Sequence, residues 1–515
     1  MPKPVQASVY TFRDIIAGGF VYVDKTRLIY ELVRYNKGVN FLARPRRFGK
    51  SLLLSTLDEL FRGNRVSFQG LWIDSSDYVW DAHPVVRIDF SRYQVHNAAE
   101  LESVIQNYVK QIAQEYGIDL PDARFDILFG ELILRLAKDR QVVVLIDEYD
   151  KPILDNITDL PTANAIRDKL RGFYTTIKSL DQYLRFVFIT GISKFSRVGI
   201  FSGMNNLTDL TADRRFGALL GLTEEEIGHY FREHIEQLAV NLGLSPQETI
   251  AQIRHWYDGY RFVPAGPNVY NPFSTLQLFV QQHFYNYWFE TGTPTFLLKL
   301  LKERDYDVSE LDDLRVREMG FSTYEIETLA ILPLLFQTGY LTIKEYEPVR
   351  RVYTLGYPNF EVEEAFIAYL LAEFNEQERS INDNHLWKLM DALEGHNLEL
   401  FFTILSVFFA NIPYDIQIKH EKYYQTIFYL IFKLIGTVID VEVRTNSGRM
   451  DALISLKDHI YLFEFKLDGS AQAALEQIEA EKYDEKFQMD ARPTTLVGVS
   501  FDSRSRQVSE WVSRP

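Results

Sequence analysis

Three runs of residues in this sequence have the types and spacing for chemistry on phosphates. The first is Arg44-Pro45-Arg46-Arg47-Phe48-Gly49-Lys50-Ser51. A Gly-Lys-Ser that opens a helix offers a phosphate backbone N–H groups, the positive end of the helix dipole, a Lys for its outer oxygens and a hydroxyl for Mg²⁺. Arg46, Arg47, Phe48, Gly49, Lys50 and Ser51 are therefore the candidate nucleotide-binding residues. Arg44 stands where a phosphate loop has its first Gly, and Pro45 has no N–H; Arg46 and Arg47 are expected to compensate by charge. A basic turn before a surface helix is the plainer reading of these residues taken alone.

The second run, VVVLI, ends on Asp147-Glu148. Asp147 would order Mg²⁺ through its water shell, because Mg²⁺ dehydrates reluctantly. Glu148 would polarise an attacking water as general base. Acids at a strand end are common on ordinary surfaces. A Walker A-like and a Walker B-like run together, each at the end of a strand, carry more weight than either alone. Thr190, near the end of RFVFITG, either senses the terminal phosphate or caps the following turn. Asp89 closes the strand PVVRIDF. Arg214 and Arg215 are either phosphate contacts or a solvated pair.

The third run is Asp451 in RMDALISL with Glu464 and Lys466 in HIYLFEFKL. The period of two along a strand puts Glu464 and Lys466 on one face, and a neighbouring strand can bring Asp451 to it. Two carboxylates there would hold a divalent metal that activates water, and Lys466 would stabilise charge on a scissile phosphate. The bland alternative is an exposed Glu–Lys pair on a hairpin. Both strands are apolar around these residues, however, and buried carboxylates need a metal or a partner.

The elements that must position these residues follow from periodicity. GVNFLA (38–43), PVVRIDF (84–90), QVVVLIDEYD (141–150) and RFVFITG (185–191) read as buried strands. Helical runs at 51–61 and 100–117 lie between them. Continuous Val/Ile/Phe strands separated by helices predict a parallel sheet covered on both faces. From Thr223 the chain turns mostly helical, with a capping box formed by Thr223 and Glu226. Residues 327–359 read as a helix followed by two strands, a winged-helix pattern. The polar stretch EFNEQERSINDNH (373–385) is the expected linker. Helices then run to about 436, followed by strands, a helix and one final strand. The domains expected are 1–222, 223–375 and 376–515.

Composition narrows the classes. At 515 residues with 46% apolar and 14% aromatic content, the chain suits several folded domains. The absence of Cys excludes disulfides, thiolate zinc sites and a cysteine nucleophile. With no apolar leader in MPKPVQASVYTFRD, the cytoplasm is the expected location. The best membrane candidate, Tyr423 to Ile439, is short and interrupted by Lys433, so it is expected to be a buried helix. The net charge of -16 excludes a uniform basic coat but not a local groove.

YVDKTRLI (22–29), RPRRFGKS (44–51), LIDEYD (145–150), TGISKFS (190–196), LTDLT (207–211), GLTEEEI (221–227), WYDGYRF (256–262) and VYNPFS (269–274) together resemble the bacterial AAA-ATPase-like family. In that family the loss of the first Gly is usual, and the resemblance implies binding and hydrolysis of ATP. The Asp–x12–Glu–x–Lys spacing resembles the PD-(D/E)XK nuclease superfamily. Gly448 and Arg449 before Asp451 are similar to the branch fused to AAA-ATPase-like domains. That resemblance implies a further metal-site acid at Glu421 on the preceding helix, and a Gln477/Tyr483 pair on the following one. The expected fold is α/β: an N-terminal P-loop NTPase with a parallel sheet, a helical and winged-helix-like middle, and a C-terminal α/β nuclease-type domain. The expected protein binds ATP and Mg²⁺, uses Mg²⁺ or Mn²⁺ at the second site, acts on DNA or RNA and has no membrane partner. A nucleotide-dependent switch whose nuclease-like domain only binds is the alternative. Oligomeric state is not legible.

Overall fold

The computed structural model describes the chain except residues 1, 36, 196–199, 202–203, 205, 291–294, 305, 322–329, 411–420, 437–439, 447–448, 481–486, 488–489 and 503–506, and the side chains of 290, 295–296, 410, 421–425, 440–446 and 449–451. It divides into two units, Met1–Gly292 with Asp313–Glu361, and Thr293–Asp312 with Val362–Pro515.

The first unit is built on a five-stranded sheet of β1 (Val39–Ala43), β2 (Val85–Asp89), β3 (Val142–Asp147), β4 (Leu184–Gly191) and β5 (Leu207–Asp209). Its order is β2-β3-β4-β1-β5, and every pair is parallel. Parallel strands need a crossover between them, and helices cover both faces, so the central strands are apolar throughout. All six residues of β3 are buried. The expected strands and helices of residues 38–191 are all present, within a few residues of their expected bounds. The helix Lys50–Phe61 follows β1 and packs on the sheet through Leu53, Leu54, Leu57 and Leu60.

Helices Glu224–Tyr230, Arg232–Leu242, Pro246–Tyr257 and Pro272–Gln281 follow. The Thr223–Glu226 capping box is present, and Ser245 forms a second with Glu248. The helix Ile331–Thr338 leads into β7 (Thr342–Glu347) and β8 (Val352–Gly356), as the winged-helix pattern predicts. A third strand, β6 (Leu314–Val316), completes the sheet in the order β6-β8-β7. Only three residues long, β6 has no run of its own to betray it.

The second unit holds a mixed sheet of β9 (Asp440–Asn446), β10 (Arg449–Ser455), β11 (Ile460–Leu467), β12 (Thr494–Asp502) and β13 (Gln507–Arg514), in that spatial order. The pair β11–β12 is parallel and is joined through the helix Ala471–Ala480; the other pairs are antiparallel. One face of β11, with Phe463 and Phe465, packs on Phe401, Phe428 and Phe432 of the preceding helices. The opposite face packs Leu462 and Leu496 on Leu475 and Ile478 of the crossover helix.

Two expectations are corrected. The stretch 373–385 is not a linker: it joins the helices Phe360–Asn375 and Arg379–Glu394 and runs well into both. Its polar residues satisfy one another, since the buried amides of Asn375 and Asn382 exchange hydrogen bonds of 2.7 and 3.3 Å. Lys302 also donates to the Glu373 carbonyl at 2.8 Å. The single final strand is two, β12 and β13. As an edge strand with no fully buried residue, β13 presents a polar pattern and takes its strand character from pairing with β12. The membrane candidate forms the helix Glu421–Ile435, and no helix among the described residues is long and apolar enough to cross a membrane.

Candidate functional site

The strand order of the first unit places β4 between β1 and β3, so the ends of all three lie side by side. The loop 44–51 leaves β1, Asp147 closes β3, and Thr190 pairs in register with Leu42 near the end of β4. Gly49 adopts φ +90 and starts the helix at Lys50, a conformation that favours glycine. The Lys50 amino group is buried and donates to the carbonyls of Arg44 and Pro45 at 3.1 and 3.0 Å. It stands 3.7 Å from the Glu148 carboxylate.

Asp147 is buried. Burial, reinforced by the negative charge of Glu148, pushes its carboxyl up to about 6, against the pull of the Ser51 hydroxyl and Lys50. The Ser51 hydroxyl and the Lys50 amino group thus both lie beside the Asp147 carboxyl. Asp89 lies opposite Asp147 in register and adds negative charge. Arg47 and Glu148 both take left-handed backbone, φ +64 and +52. Such strain in side-chain-bearing residues costs on the order of 1 kcal/mol or more each and clusters at functional sites. The Thr190 hydroxyl is fully buried and has no hydrogen-bond partner among the described residues.

The arginines of the loop divide their work. Arg44 extends β1 and turns its guanidinium inward, to the carbonyls of Ala43 at 2.9 Å and Thr211 at 3.0 Å and over the ring of Phe262. Burial lowers its pKa to about 9, which leaves it charged at neutral pH. It therefore ties the end of β1 to the chain that follows β5. Arg46 is exposed. Arg47 lies over Phe273, 4.7 Å from the ring centre, and donates to the Tyr10 hydroxyl. Phe48 is buried against Tyr260 and Phe262, so only its backbone is available to a ligand. Arg214 and Arg215 are exposed, and Arg215 pairs with Asp213 at 2.6 Å, the solvated-pair arrangement.

Beside Gly49 opens a largely apolar cavity of about 150 Å³, lined among others by Tyr10, Arg47, Leu222, Phe273 and Leu276. It is the size of a planar ring system; pockets for drug-sized ligands run to ~300–1,000 Å³.

Sequence reasoning missed Asp150. It is fully buried and accepts hydrogen bonds from the amides of Ile192 at 3.1 Å and Ser193 at 2.6 Å and from the Ser193 hydroxyl. It clamps the backbone directly after Thr190. Its signal was the second aspartate, three residues beyond Asp147 in LIDEYD. Other shared motifs prove to be braces: Lys194 pairs with Asp209 at 2.6 Å, and Lys25 with Glu226 at 2.6 Å.

In the second unit, Glu464 on β11 is fully buried, and Lys466 is half-buried on the same face. The register sets position 451 of β10 opposite Glu464, and Glu464 opposite Gly498 of β12. A Cβ at Gly498 would lie 2.2 Å from the Ala471 carbonyl oxygen. Only glycine there lets the first turn of the crossover helix rest on the sheet in the same row as Glu464. Gln477 lies on that helix and is half-buried. Glu421 is the first residue of its helix; its side chain and that of Asp451 lie outside the described residues, as does Tyr483.

Two family models match the chain: one described as a predicted AAA-ATPase, over residues 6–201, and the PD-(D/E)XK nuclease superfamily, over residues 419–511. The matched segments contain the loop 44–51 with Asp147 and Thr190, and the Glu464 row, respectively. A protein of Azotobacter chroococcum mcd 1, described as an uncharacterized protein in the vnfD 5'region, is 38% identical over 525 residues, covering 99% of this chain and 98% of that protein. The chain therefore belongs to the family that joins an N-terminal AAA-ATPase-like domain to a C-terminal domain of the PD-(D/E)XK nuclease superfamily.

Proposed function

We propose that the first unit binds and hydrolyses ATP with Mg²⁺, and that the second is a metal-dependent nuclease acting on DNA or RNA. One observation carries the first half. Three strand ends bring together a buried lysine at a helix start, a buried aspartate beside a serine hydroxyl, and a buried threonine hydroxyl without a partner among the described residues. That donor set fits a nucleotide phosphate and a hard cation. Gly49, Lys50 and Ser51 hold the phosphates, and Thr190 faces the outermost one. Ser51 and Asp147 hold the Mg²⁺, which supplies charge to the phosphate oxygens. Glu148 takes the proton of the attacking water. The base sits in the apolar cavity beside Arg47 and Phe273.

The second half is supported by the superfamily match and by a fully buried carboxylate two residues from a lysine on one strand face. Glu464 with Asp451 holds the divalent ion, Glu421 adds a carboxylate, and Lys466 faces the scissile phosphate; Gln477 and Tyr483 border the site. The protein works in the cytoplasm.

The test is purified full-length protein with labelled single- and double-stranded DNA and RNA, under Mg²⁺ or Mn²⁺, with and without ATP. Cleavage that disappears in Glu464→Ala is the expected result. ATP turnover with all four polymers intact under both metals would leave the second unit as a binding module only.

A further inference from the structure

The phosphate loop is held from outside by residues that the proposed hydrolysis does not use. Trp288, in the helix Tyr287–Glu290, donates its indole N–H to the Arg46 carbonyl at 3.0 Å. Its own backbone amide donates to Glu361 at 2.6 Å. Glu361 is fully buried and also accepts the Ser274 hydroxyl at 2.8 Å. Gly339 presses on the neighbouring loop residue. It takes φ +94, and a Cβ there would stand 2.8 Å from the Pro45 ring and 3.5 Å from the Trp288 indole. Two successive loop residues, Pro45 and Arg46, are thus fixed to elements more than 200 residues away in sequence.

All of these atoms belong to the first unit, and the chain leaves that unit after Gly292 and again after Glu361. Trp288 lies just before the first exit. Glu361 is the last residue before the other, in the opening turn of the helix Phe360–Asn375. The loop also has a reason to respond to a ligand. The Lys50 amino group now donates to the carbonyls of Arg44 and Pro45. A phosphate that draws this amino group away leaves both carbonyls to find new donors, while the next one, on Arg46, stays tied to Trp288. The two states of the loop then differ in their contacts, as any ligand-driven switch requires.

We propose that Trp288 is a positioning residue of the nucleotide site, and that the line Arg46–Trp288–Glu361 transmits the state of the loop to the helix Phe360–Asn375. This rests on the nucleotide reading of the first unit.

The experiment is hydrogen–deuterium exchange on the full chain, with and without saturating ADP or ATP and Mg²⁺, following peptides 44–51 and 360–375. Wild-type protein changes exchange in both. Trp288→Phe keeps an aromatic side chain, though a smaller one, and deletes the N–H. It raises nucleotide Kd roughly three- to tenfold, the size of one net hydrogen bond. At saturation it still protects 44–51 but loses the response at 360–375. Glu361→Met cuts the line at its second bond while filling the same space, and gives the same loss should Trp288→Phe fail to fold. A full response at 360–375 in the folded variant overturns the proposal. So does wild-type protein that protects 44–51 and leaves 360–375 unchanged. No protection of 44–51 at millimolar nucleotide refutes the nucleotide reading itself, and the relay with it.

Discussion

Replacing Glu361 with glutamine separates burial from hydrogen bonding in one buried group. Its carboxyl is shielded from solvent, and its partners, the Ser274 hydroxyl and the Trp288 amide, both donate to it. Those two bonds favour the charged form, but burial outweighs them and pushes the pKa from 4.5 to about 8. Between these values the folded chain holds a proton that the unfolded chain has released. The group's contribution to stability is therefore complete below its unfolded pKa and is lost as pH rises through 8. The slope is at most about 1.4 kcal/mol per pH unit, so the loss from pH 5 to pH 8 approaches ~4 kcal/mol as an upper bound. Glutamine has nearly the same shape and no proton to lose. Hydrogen exchange of the helix Pro272–Gln281, which carries Ser274, reads the opening free energy of this region in both proteins at each pH. Titrations common to the two cancel. The expected result is near-equality at pH 5 and a growing advantage for Glu361→Gln up to pH 8. Parallel profiles over that range would mean that the carboxylate stays charged when buried and that the two hydrogen bonds, not burial, decide its state.

Lys50→Ala is expected to abolish ATP hydrolysis and weaken nucleotide binding, whereas Glu148→Gln retains binding and slows turnover, because it removes the base and keeps Asp147; unchanged turnover in both refutes the assignment. Arg44→Gly restores the glycine that a phosphate loop usually has, yet it strips the Ala43 and Thr211 carbonyls of their donor. Thermal unfolding should show a loss of about 3 kcal/mol with no gain in nucleotide affinity, and a stable, tighter-binding variant would contradict the role given to Arg44. Gly498→Ala forces a methyl to 2.2 Å from the Ala471 carbonyl oxygen, so the crossover helix must back away; a stability loss of roughly 2–3 kcal/mol is expected, and wild-type thermal stability would refute the close approach.

Features that depend on neighbours a few residues apart could be read along the chain. Apolar runs announced the strands of the first sheet because those strands are buried on both faces. Thr223 with Glu226 announced a helix start because both partners lie within one turn. Gly49-Lys50-Ser51 and Glu464-Lys466 were legible because a helix start and a strand face are local geometries. The short β6 and the edge strand β13 were not, since their character comes from the strand beside them. Nor was the pairing of Asn375 with Asn382, which made a polar stretch look solvated.

Which strand ends meet is set by long-range packing. The order β2-β3-β4-β1-β5 puts Thr190 between the loop after β1 and Asp147, and no local pattern encodes that order. The same packing decides that Arg44 serves the Thr211 carbonyl, 167 residues away, and that Trp288 reaches Arg46 across 242 residues. Such contacts form only once the sheet and helices have packed, because the loss of chain entropy in closing so long a loop is offset by the packed core and not by the contact itself. An arginine in a phosphate loop therefore looks like a ligand group in the sequence and becomes a structural brace when its carbonyl partners arrive from elsewhere in the chain.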